Sequence, residues 1–351
     1  MYGVNKETVI KEDAIKYRLY KEKKISQVHE ISKFEGVEEL IILTNDFRNE
    51  YYLYVNETVF SHGEFLRYLA EQTSKTLQEI ILETYSKFNK DVLRHLFEVS
   101  SGYLANPIGS FDGLEALEKA IHFAEKTDAS GEVLLKLFND AIQLTYEFKL
   151  NEAIQPLNKS TISKYIYMLK KKMGTLDKKN YLISGNDFEV CYLAKLLLLA
   201  GAQTITVIQR NEEESLRQVE NVTAYMTDAE SAKVFAATSK SLHYRLSKTD
   251  AAILNTSEVD LFDENTIDNV TIIRQTKKKQ YLLDTSETPL THLEQEHLDI
   301  FLIDAKANMI FNDEQINLAI AKFDEKIQSH IENFMQDFEE LQVEKSKEIT
   351  H

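Results

Sequence analysis

The chain has 351 residues, which is more than one ordinary domain holds, so its length predicts two or three domains with buried cores. Its formal net charge of -16 repels a phosphate backbone over the surface as a whole and so argues against tRNA as a partner, although a local basic patch could still bind RNA. The single cysteine, Cys191, excludes an intramolecular disulfide and a thiolate metal cage. No apolar run reaches membrane-spanning length and no secretory leader opens the chain, so we expect a cytoplasmic protein without a membrane partner.

The first 150 residues predict a compact α+β domain. Residues 2–8 form a short strand and loop, and a helical stretch follows at about residues 12–29. An apolar run and then an aromatic run predict a β-hairpin over residues 37–55. Helical spacing of apolar residues predicts further helices, among them residues 117–126 and 133–149.

Residues 151–305 predict a doubly wound α/β domain. Ser160 is a good N-cap for a helix over residues 162–173. Buried strands at residues 180–183 and 204–208 flank an apolar helix at about residues 190–200, which makes a βαβ unit. Short apolar runs predict more strands of the same sheet at residues 251–254, 270–273, 281–283 and 300–303.

The C-terminal residues, 306–351, predict a long amphipathic helix. Its large apolar residues recur at spacings of three and four, as in a coiled-coil seam: Ile316, Ile320, Phe323, Ile327, Ile331, Phe334, Phe338 and Leu341. The part beyond Ile327 has no evident partner in its own subunit, and phenylalanines left in water would forfeit about 1.5 to 3 kcal/mol each. The seam therefore predicts a homodimer formed through this helix.

Three stretches carry a family resemblance. Residues 42–52 read Ile-Leu-Thr-Asn-Asp-Phe-Arg-Asn-Glu-Tyr-Tyr and resemble the active-site motif of glutamyl-tRNA reductase, I-L-S-T-C-N-R-T-E-I-Y. Residues 91–102 resemble that family's D-A-V-R-H-L-F-R-V-A-S-G, and residues 2–8 resemble its G-x-N-H-K-T start with Lys6 in place of the histidine. The resemblance implies an α/β and α+β multidomain fold with an N-terminal catalytic-type domain (1–150), a Rossmann-like NADP-binding-type domain (151–305) and a C-terminal helical dimerisation domain (306–351).

The resemblance also assigns roles to single positions. His95 falls on the family's active-site histidine, and Asp46 falls where the family has its catalytic cysteine. The substrate-binding positions of the family fall on Thr44, Arg48, Glu50 and Gly109. In that family the thiolate attacks the ester that joins glutamate to its tRNA, and NADPH reduces the thioester to glutamate-1-semialdehyde. An aspartate could form only a mixed anhydride, which water destroys.

The resemblance extends to a dinucleotide loop that is altered here. The family's G-A-G-E-M-G aligns with residues 184–189, Ser-Gly-Asn-Asp-Phe-Glu, in which all three glycine positions hold other residues. Asp187 and Glu189 bring two carboxylates to the place where a phosphate would sit. The remnants of a cofactor site would be Gly185, Arg210 and Ser160. We therefore expect no cofactor, with NADPH bound only if the protein is active.

Two hypotheses of function follow. The first is a catalytically inactive glutamyl-tRNA reductase-like protein that acts by binding or regulation in tetrapyrrole (haem and porphyrin) metabolism, together with a protein partner. The second is an active oxidoreductase, either a divergent NADPH-dependent glutamyl-tRNA reductase that supplies glutamate-1-semialdehyde for 5-aminolevulinate synthesis or an enzyme with a changed substrate. No metal is expected, because His292 and His297 are five residues apart and do not share a helix face.

Overall fold

The computed structural model describes residues 1–10, 12–46, 48–224, 226–255, 264–274, 278–286, 300–304 and 309–348. Contacts divide the chain into two compact units, which we call the first and second unit: Met1–Phe148 with Leu318–His351, and Lys149–Asn317. Within the described ranges, no helix combines the length and the apolar character needed to cross a membrane.

The first unit contains a four-stranded antiparallel sheet with strand order β2-β3-β1-β4. The strands are β1 (Tyr2–Asn5), β2 (Val37–Asn45), β3 (Arg48–Val55) and β4 (Tyr85–Ser86). The predicted hairpin is confirmed: β2 and β3 pair from Val37 with Val55 to Asn45 with Arg48, and Asp46 is a turn residue between them. Alternate apolar side chains of this sheet pack against helices to form the core, in which Leu40, Ile42 and Phe65 are buried.

The helices beside this sheet follow in chain order: α1 (Lys21–Ile31), α2 (His62–Thr73), α3 (Leu77–Glu83), α4 (Lys90–Ser100), α5 (Asp112–Lys126) and α6 (Glu132–Leu150). The prediction of one helix over residues 12–29 is wrong. A 3-10 helix, Ala14–Tyr17, is followed by extended backbone at Arg18, and α1 begins only at Lys21. The apolar spacing of this stretch did not reveal the break, because Arg18 carries no turn signal.

The second unit is a doubly wound sheet of six parallel strands, as predicted, with strand order β10-β9-β8-β5-β6-β7. The strands are β5 (Asn180–Ile183), β6 (Thr204–Gln209), β7 (Val234–Thr238), β8 (Ala251–Leu254), β9 (Gln280–Asp284) and β10 (Ile300–Asp304). The helices are α7 (Thr161–Met173), α8 (Asp187–Leu199), α9 (Glu212–Thr223), α10 (Asp228–Ser231), α11 (Leu242–Ser247) and α12 (Glu264–Arg274), with 3-10 helices Glu152–Leu157 and Ser239–Ser241. This strand order is the one that binds dinucleotides at the carboxyl ends of the strands in many enzymes.

The strand predicted at residues 270–273 is wrong, because these residues lie in α12. Only Val270 faces the core, whereas Ile272 and Ile273 are 74% and 38% exposed. A short β-branched run reads as a strand from its composition, and here packing of one helix face overrides that preference. Strand β7 was not predicted, since Val234–Thr238 has only a weak apolar alternation.

The long C-terminal helix, α13 (Asp313–Glu348), is confirmed, but the reason given for a dimer is wrong. From Leu318 on, this helix belongs to the first unit. Its seam is buried there, with Ile327, Ile331 and Phe334 at most 5% exposed. The Phe338 ring meets the Tyr54 ring edge-on, with ring centroids 5.9 Å apart. The seam beyond Ile327 therefore has a partner within its own subunit.

Candidate functional site

The hairpin turn opens onto a cleft of about 460 Å³ in the first unit. Thr44, Asp46 and Arg48 line this cleft, so three of the site residues predicted from the sequence are brought together. Asp46 is exposed at the turn. Three further side chains line this cleft, and the family resemblance assigned a role to none of them: Lys6, Tyr17 and Arg18.

Glu50 lies behind the cleft, fully buried, and its carboxylate accepts hydrogen bonds from four side chains. The donors are Arg48 Nη1 (3.0 Å), Tyr52 Oη (2.7 Å), Tyr85 Oη (2.6 Å) and His95 Nε2 (2.8 Å). Burial alone would raise the pKa of the Glu50 carboxyl, but the bonds from His95 and Arg48 outweigh it and lower the pKa to about 2. Glu50 is therefore a charged hub that holds Arg48 at the cleft wall.

The backbone of β1 explains how Tyr85 reaches this hub. Gly3 pairs with Glu50 on one side and with Tyr85 on the other. A Cβ at Gly3 would come within 2.7 Å of the Tyr85 ring, so only glycine lets that ring cross β1 to the carboxylate. Burial, together with the Glu50 charge, raises the pKa of the Tyr85 hydroxyl far above its ordinary value, which keeps the hydroxyl protonated as a donor.

His95 and Gly109 do not line the cleft that contains Asp46. His95 is 6% exposed on α4, packs against the Tyr85 ring and is not among the residues that line the cleft with Asp46. Gly109 is a buried turn residue with φ +85°, and its N–H donates to the Gly102 carbonyl at 2.9 Å. His95 thus acts on the cleft through Glu50 and Arg48, while Gly109 shapes a turn.

The altered dinucleotide loop lies at the carboxyl end of β5 in the second unit. The Asn186 side chain caps α8 by accepting from the Glu189 N–H at 2.9 Å. The Glu189 carboxylate lies beside Gly185, with Oε2 3.3 Å from the position that a Cβ on Gly185 would take. The loop therefore presents a capped amide and a carboxylate where a glycine-rich loop presents free N–H groups to a pyrophosphate.

Two glutamines hold this loop in place, and the sequence motifs assigned a role to neither of them. The Gly185 carbonyl accepts from Gln209 Nε2 at 3.2 Å and from Gln218 Nε2 at 3.1 Å. Both glutamines, with Glu214 and Arg217, line a cavity of about 490 Å³ beside the loop. The cation at this cavity is therefore Arg217, which lies on α9 and outside the aligned motif.

The other two predicted cofactor residues have structural contacts instead. Arg210 is exposed and is not among the residues that line this cavity, and its carbonyl accepts from Ser239 Oγ at 3.1 Å. Ser160 caps α7, accepting from the Ser163 N–H at 3.3 Å, as its N-cap prediction requires. No cluster of three or more potential metal ligands occurs among the described residues, while His292 and His297 lie outside them.

Comparisons with known proteins agree with these motifs. The family model described as "Glutamyl-tRNAGlu reductase, N-terminal domain" matches residues 3–151. A glutamyl-tRNA reductase of Flavobacterium psychrophilum is 22% identical over 258 residues, 73% of this chain and 57% of that protein. One of Shouchella clausii is 26% identical over 225 residues, 63% of this chain and 47% of that protein. The chain thus spans about half the length of these curated relatives.

A solved structure shares the fold. The glutamyl-tRNA reductase from Methanopyrus kandleri superposes with a TM-score of 0.50 at 16% identity, covering 97% of this chain and 80% of that one. The N-terminal α+β domain, the Rossmann-like parallel sheet and the long C-terminal helix are common to both. Residues 3–151 thus match the N-terminal domain of glutamyl-tRNA reductases, and the chain as a whole resembles members of that family at low sequence identity.

Proposed function

We propose that this protein is a non-catalytic member of its family and acts by binding, as a regulator or scaffold in tetrapyrrole metabolism. The observation that carries the proposal is Asp46, an exposed carboxylate at the apex of the hairpin where the family motif has its cysteine. A thiolate is both a good nucleophile and a good leaving group, which thioester chemistry requires. A carboxylate at that position is a weak nucleophile, and the mixed anhydride that it would form is destroyed by water.

The charge of the cleft supports binding of an anionic ligand. Lys6, Arg18 and Arg48 line it, against the single acidic side chain of Asp46. Glu50 holds the Arg48 guanidinium by an ion pair of 3.0 Å, and the Arg48 side chain is only 12% exposed. A guanidinium held in place beforehand loses less conformational entropy when it binds a carboxylate. A small carboxylate, such as a glutamyl group, is the ligand class that this cleft suits.

The second unit supports the same proposal, because its loop does not suit the cofactor that the reductase reaction needs. Hydride transfer requires NADPH, whose pyrophosphate needs free N–H groups at the start of the helix after β5. Asn186 occupies one of these N–H groups, and the Glu189 carboxylate beside Gly185 would repel the pyrophosphate. We therefore infer that the loop of this unit does not bind NADPH, and that its fold serves as a scaffold.

Reductase activity is the second candidate function, and the network around Glu50 favours it. Arg48, Glu50 and His95 are all present and connected, which an enzyme that had lost every use of this site would not need. In this reading the protein would be a divergent NADPH-dependent reductase of glutamyl-tRNA, or of another acyl substrate. The reaction would then need a nucleophile other than a cysteine at position 46.

One assay separates the two candidates. Purified protein is incubated with glutamyl-tRNA and NADPH, and glutamate-1-semialdehyde is measured against a sample without protein. We expect no semialdehyde above that background. The proposal would be overturned if the protein produced semialdehyde, if Asp46→Ala abolished this production, and if the exposed control Asp91→Ala left it intact. The protein would then be a reductase.

Homodimerisation through α13 stays a proposal, as does a protein partner in tetrapyrrole synthesis. Support for a dimer comes from the length of α13 and its place in the family fold, and no longer from an uncovered seam. Sedimentation velocity at micromolar concentration tests it. A species of twice the 40.6-kDa chain mass would support the dimer, and a species of the chain mass would exclude it.

A further inference from the structure

A second cavity, of about 470 Å³, lies in the first unit at the other end of the β1 and β3 strands. The hairpin cleft is lined by Asn5 and Arg48, which pair with each other. The second cavity is lined by Tyr2, at the start of β1, and by Leu53, near the end of β3. Because the two cavities occupy opposite ends of one strand pair, a ligand in the second one would not compete for the hairpin cleft.

The walls of this cavity are mainly apolar. They come from β3, α4, α6 and α13, and include Leu53, Val92, Leu137, Phe334, Met335 and Phe338. Its volume lies in the range of about 300 to 1,000 Å³ that small-molecule sites occupy. An apolar cavity of this size holds water poorly, so it suits a ligand with an apolar body.

Two of the polar side chains at the cavity already have partners. His62 is bonded on both ring nitrogens, through Nδ1 to the Tyr2 hydroxyl and through Nε2 to Glu57 Oε2 at 3.1 Å. The rings of Phe60 and Phe88 meet the His62 ring edge-on, with centroids 5.1 and 5.5 Å away. The imidazole is therefore held in place, and the Glu57 charge has a partner.

Lys87 is different. It is half-buried and lines the same cavity, and among the described residues no carboxylate or hydrogen-bond acceptor pairs with its ammonium group. An ammonium group at the edge of an apolar cavity is stabilised by an anion that reaches it while the rest of the molecule stays inside.

We propose that this cavity binds an amphipathic carboxylate, whose apolar body lies against the walls and whose carboxylate pairs with Lys87. The proposal is independent of the function proposed for the hairpin cleft. Glu57 lines the same cavity, and its carboxylate would repel a dianion such as a phosphate ester more strongly than a monoanion. The cavity therefore favours a ligand with a single negative charge. A neutral apolar ligand would leave the Lys87 ammonium without a partner.

The sequence provides a convenient probe, because the chain has no tryptophan. Met335→Trp puts a single indole on α13 at the cavity wall, at a half-buried position. Sodium dodecanoate is titrated into this full-length variant, and its fluorescence is followed. We expect a saturable change with one site and a dissociation constant in the micromolar range.

Matched variants and ligands test the role of Lys87. Lys87→Gln in the same background should weaken dodecanoate at least tenfold, and Lys90→Gln, an exposed lysine that does not line the cavity, should leave it unchanged. Dodecanol, which lacks the carboxylate, should bind at least tenfold more weakly than dodecanoate. Equal affinity of the Lys87→Gln variant for dodecanoate would overturn the proposal.

Calorimetric titration of the unaltered chain with dodecanoate keeps the test valid if the tryptophan disturbs α13. Val92→Trp places a larger side chain inside the cavity. Saturable heat in the unaltered chain that is absent from this variant would support the proposal. No saturable heat would overturn it. A fluorescence change that depends on protein concentration but not on dodecanoate concentration would also overturn it, because a second copy of the chain would then fill the cavity.

Discussion

The hairpin cleft and the dinucleotide loop have diverged from the family pattern in different ways. In the first unit Asp46 stands in place of the motif's cysteine, while Arg48, Glu50 and His95 match the family motifs and are joined by hydrogen bonds of 2.8 to 3.0 Å. In the second unit all three glycine positions of the loop hold other residues. The sheet beneath that loop nevertheless keeps its six parallel strands.

Burial accounts for this difference. Glu50 is inaccessible to solvent, so the loss of any donor around it would leave a buried charge with fewer partners. The loop at residues 184–189 lies at the edge of an open cavity, and its new side chains find local partners there, as Asn186 does by capping α8. A buried ion network tolerates little change, whereas a surface loop can be replaced one residue at a time.

The largest expected effect follows from removal of the hub. Glu50→Ala leaves Arg48 and His95 beside an unfilled polar cavity, and we expect it to lower the free energy of unfolding by about 3 to 5 kcal/mol. Glu38→Ala, an exposed glutamate on the neighbouring strand β2, should change it by less than about 0.5 kcal/mol. Urea unfolding followed by circular dichroism measures both. Equal, small effects would mean that the network carries no stability and that the contrast with the loop is wrong.

Protonation of Glu50 in acid should lower the free energy of unfolding by nearly as much as Glu50→Ala does. The pKa of the Glu50 carboxyl is lowered from 4.5 to about 2 in the folded protein, so its contribution is present above pH 4.5 and is lost as the pH falls towards 2. The shift corresponds to about 3 kcal/mol. Unfolding measured across this window should show the loss in the unaltered protein and less of it in Glu50→Gln. An identical pH dependence in both proteins would assign the acid sensitivity to other carboxyls.

A smaller effect is expected at the loop. Gln218→Leu removes one of the two amide donors to the Gly185 carbonyl and keeps the side-chain volume, which should cost about 1 kcal/mol. The exposed Gln203→Leu serves as control. Thermal unfolding compares the two variants. A loss at Gln218 as large as that at Glu50 would show the loop to be as constrained as the cleft.

The motifs predicted the hairpin and the parallel sheet, because alternating apolar residues and buried strands leave a local signal. They placed His95 in the same site as Arg48 and Glu50, and the structure brings His95 into contact with Glu50, 45 positions away in the chain. They did not predict Tyr85, whose contact with Glu50 joins residues 35 positions apart and depends on Gly3 between them. The folding of α13 onto its own unit was missed for the same reason. An apolar seam shows that a partner exists, and the identity of that partner depends on contacts distant in sequence.

Calorimetric titration of the purified protein with NADPH tests whether the dinucleotide fold of the second unit has lost its cofactor-binding loop. A working site with a micromolar dissociation constant supplies about -8 kcal/mol. Ser184→Gly, Asn186→Gly and Glu189→Gly, made together, provide the matched variant. We predict no saturable binding in the micromolar range to the unaltered chain and a gain of binding in the triple variant. Saturable micromolar binding of NADPH to the unaltered chain would contradict the account.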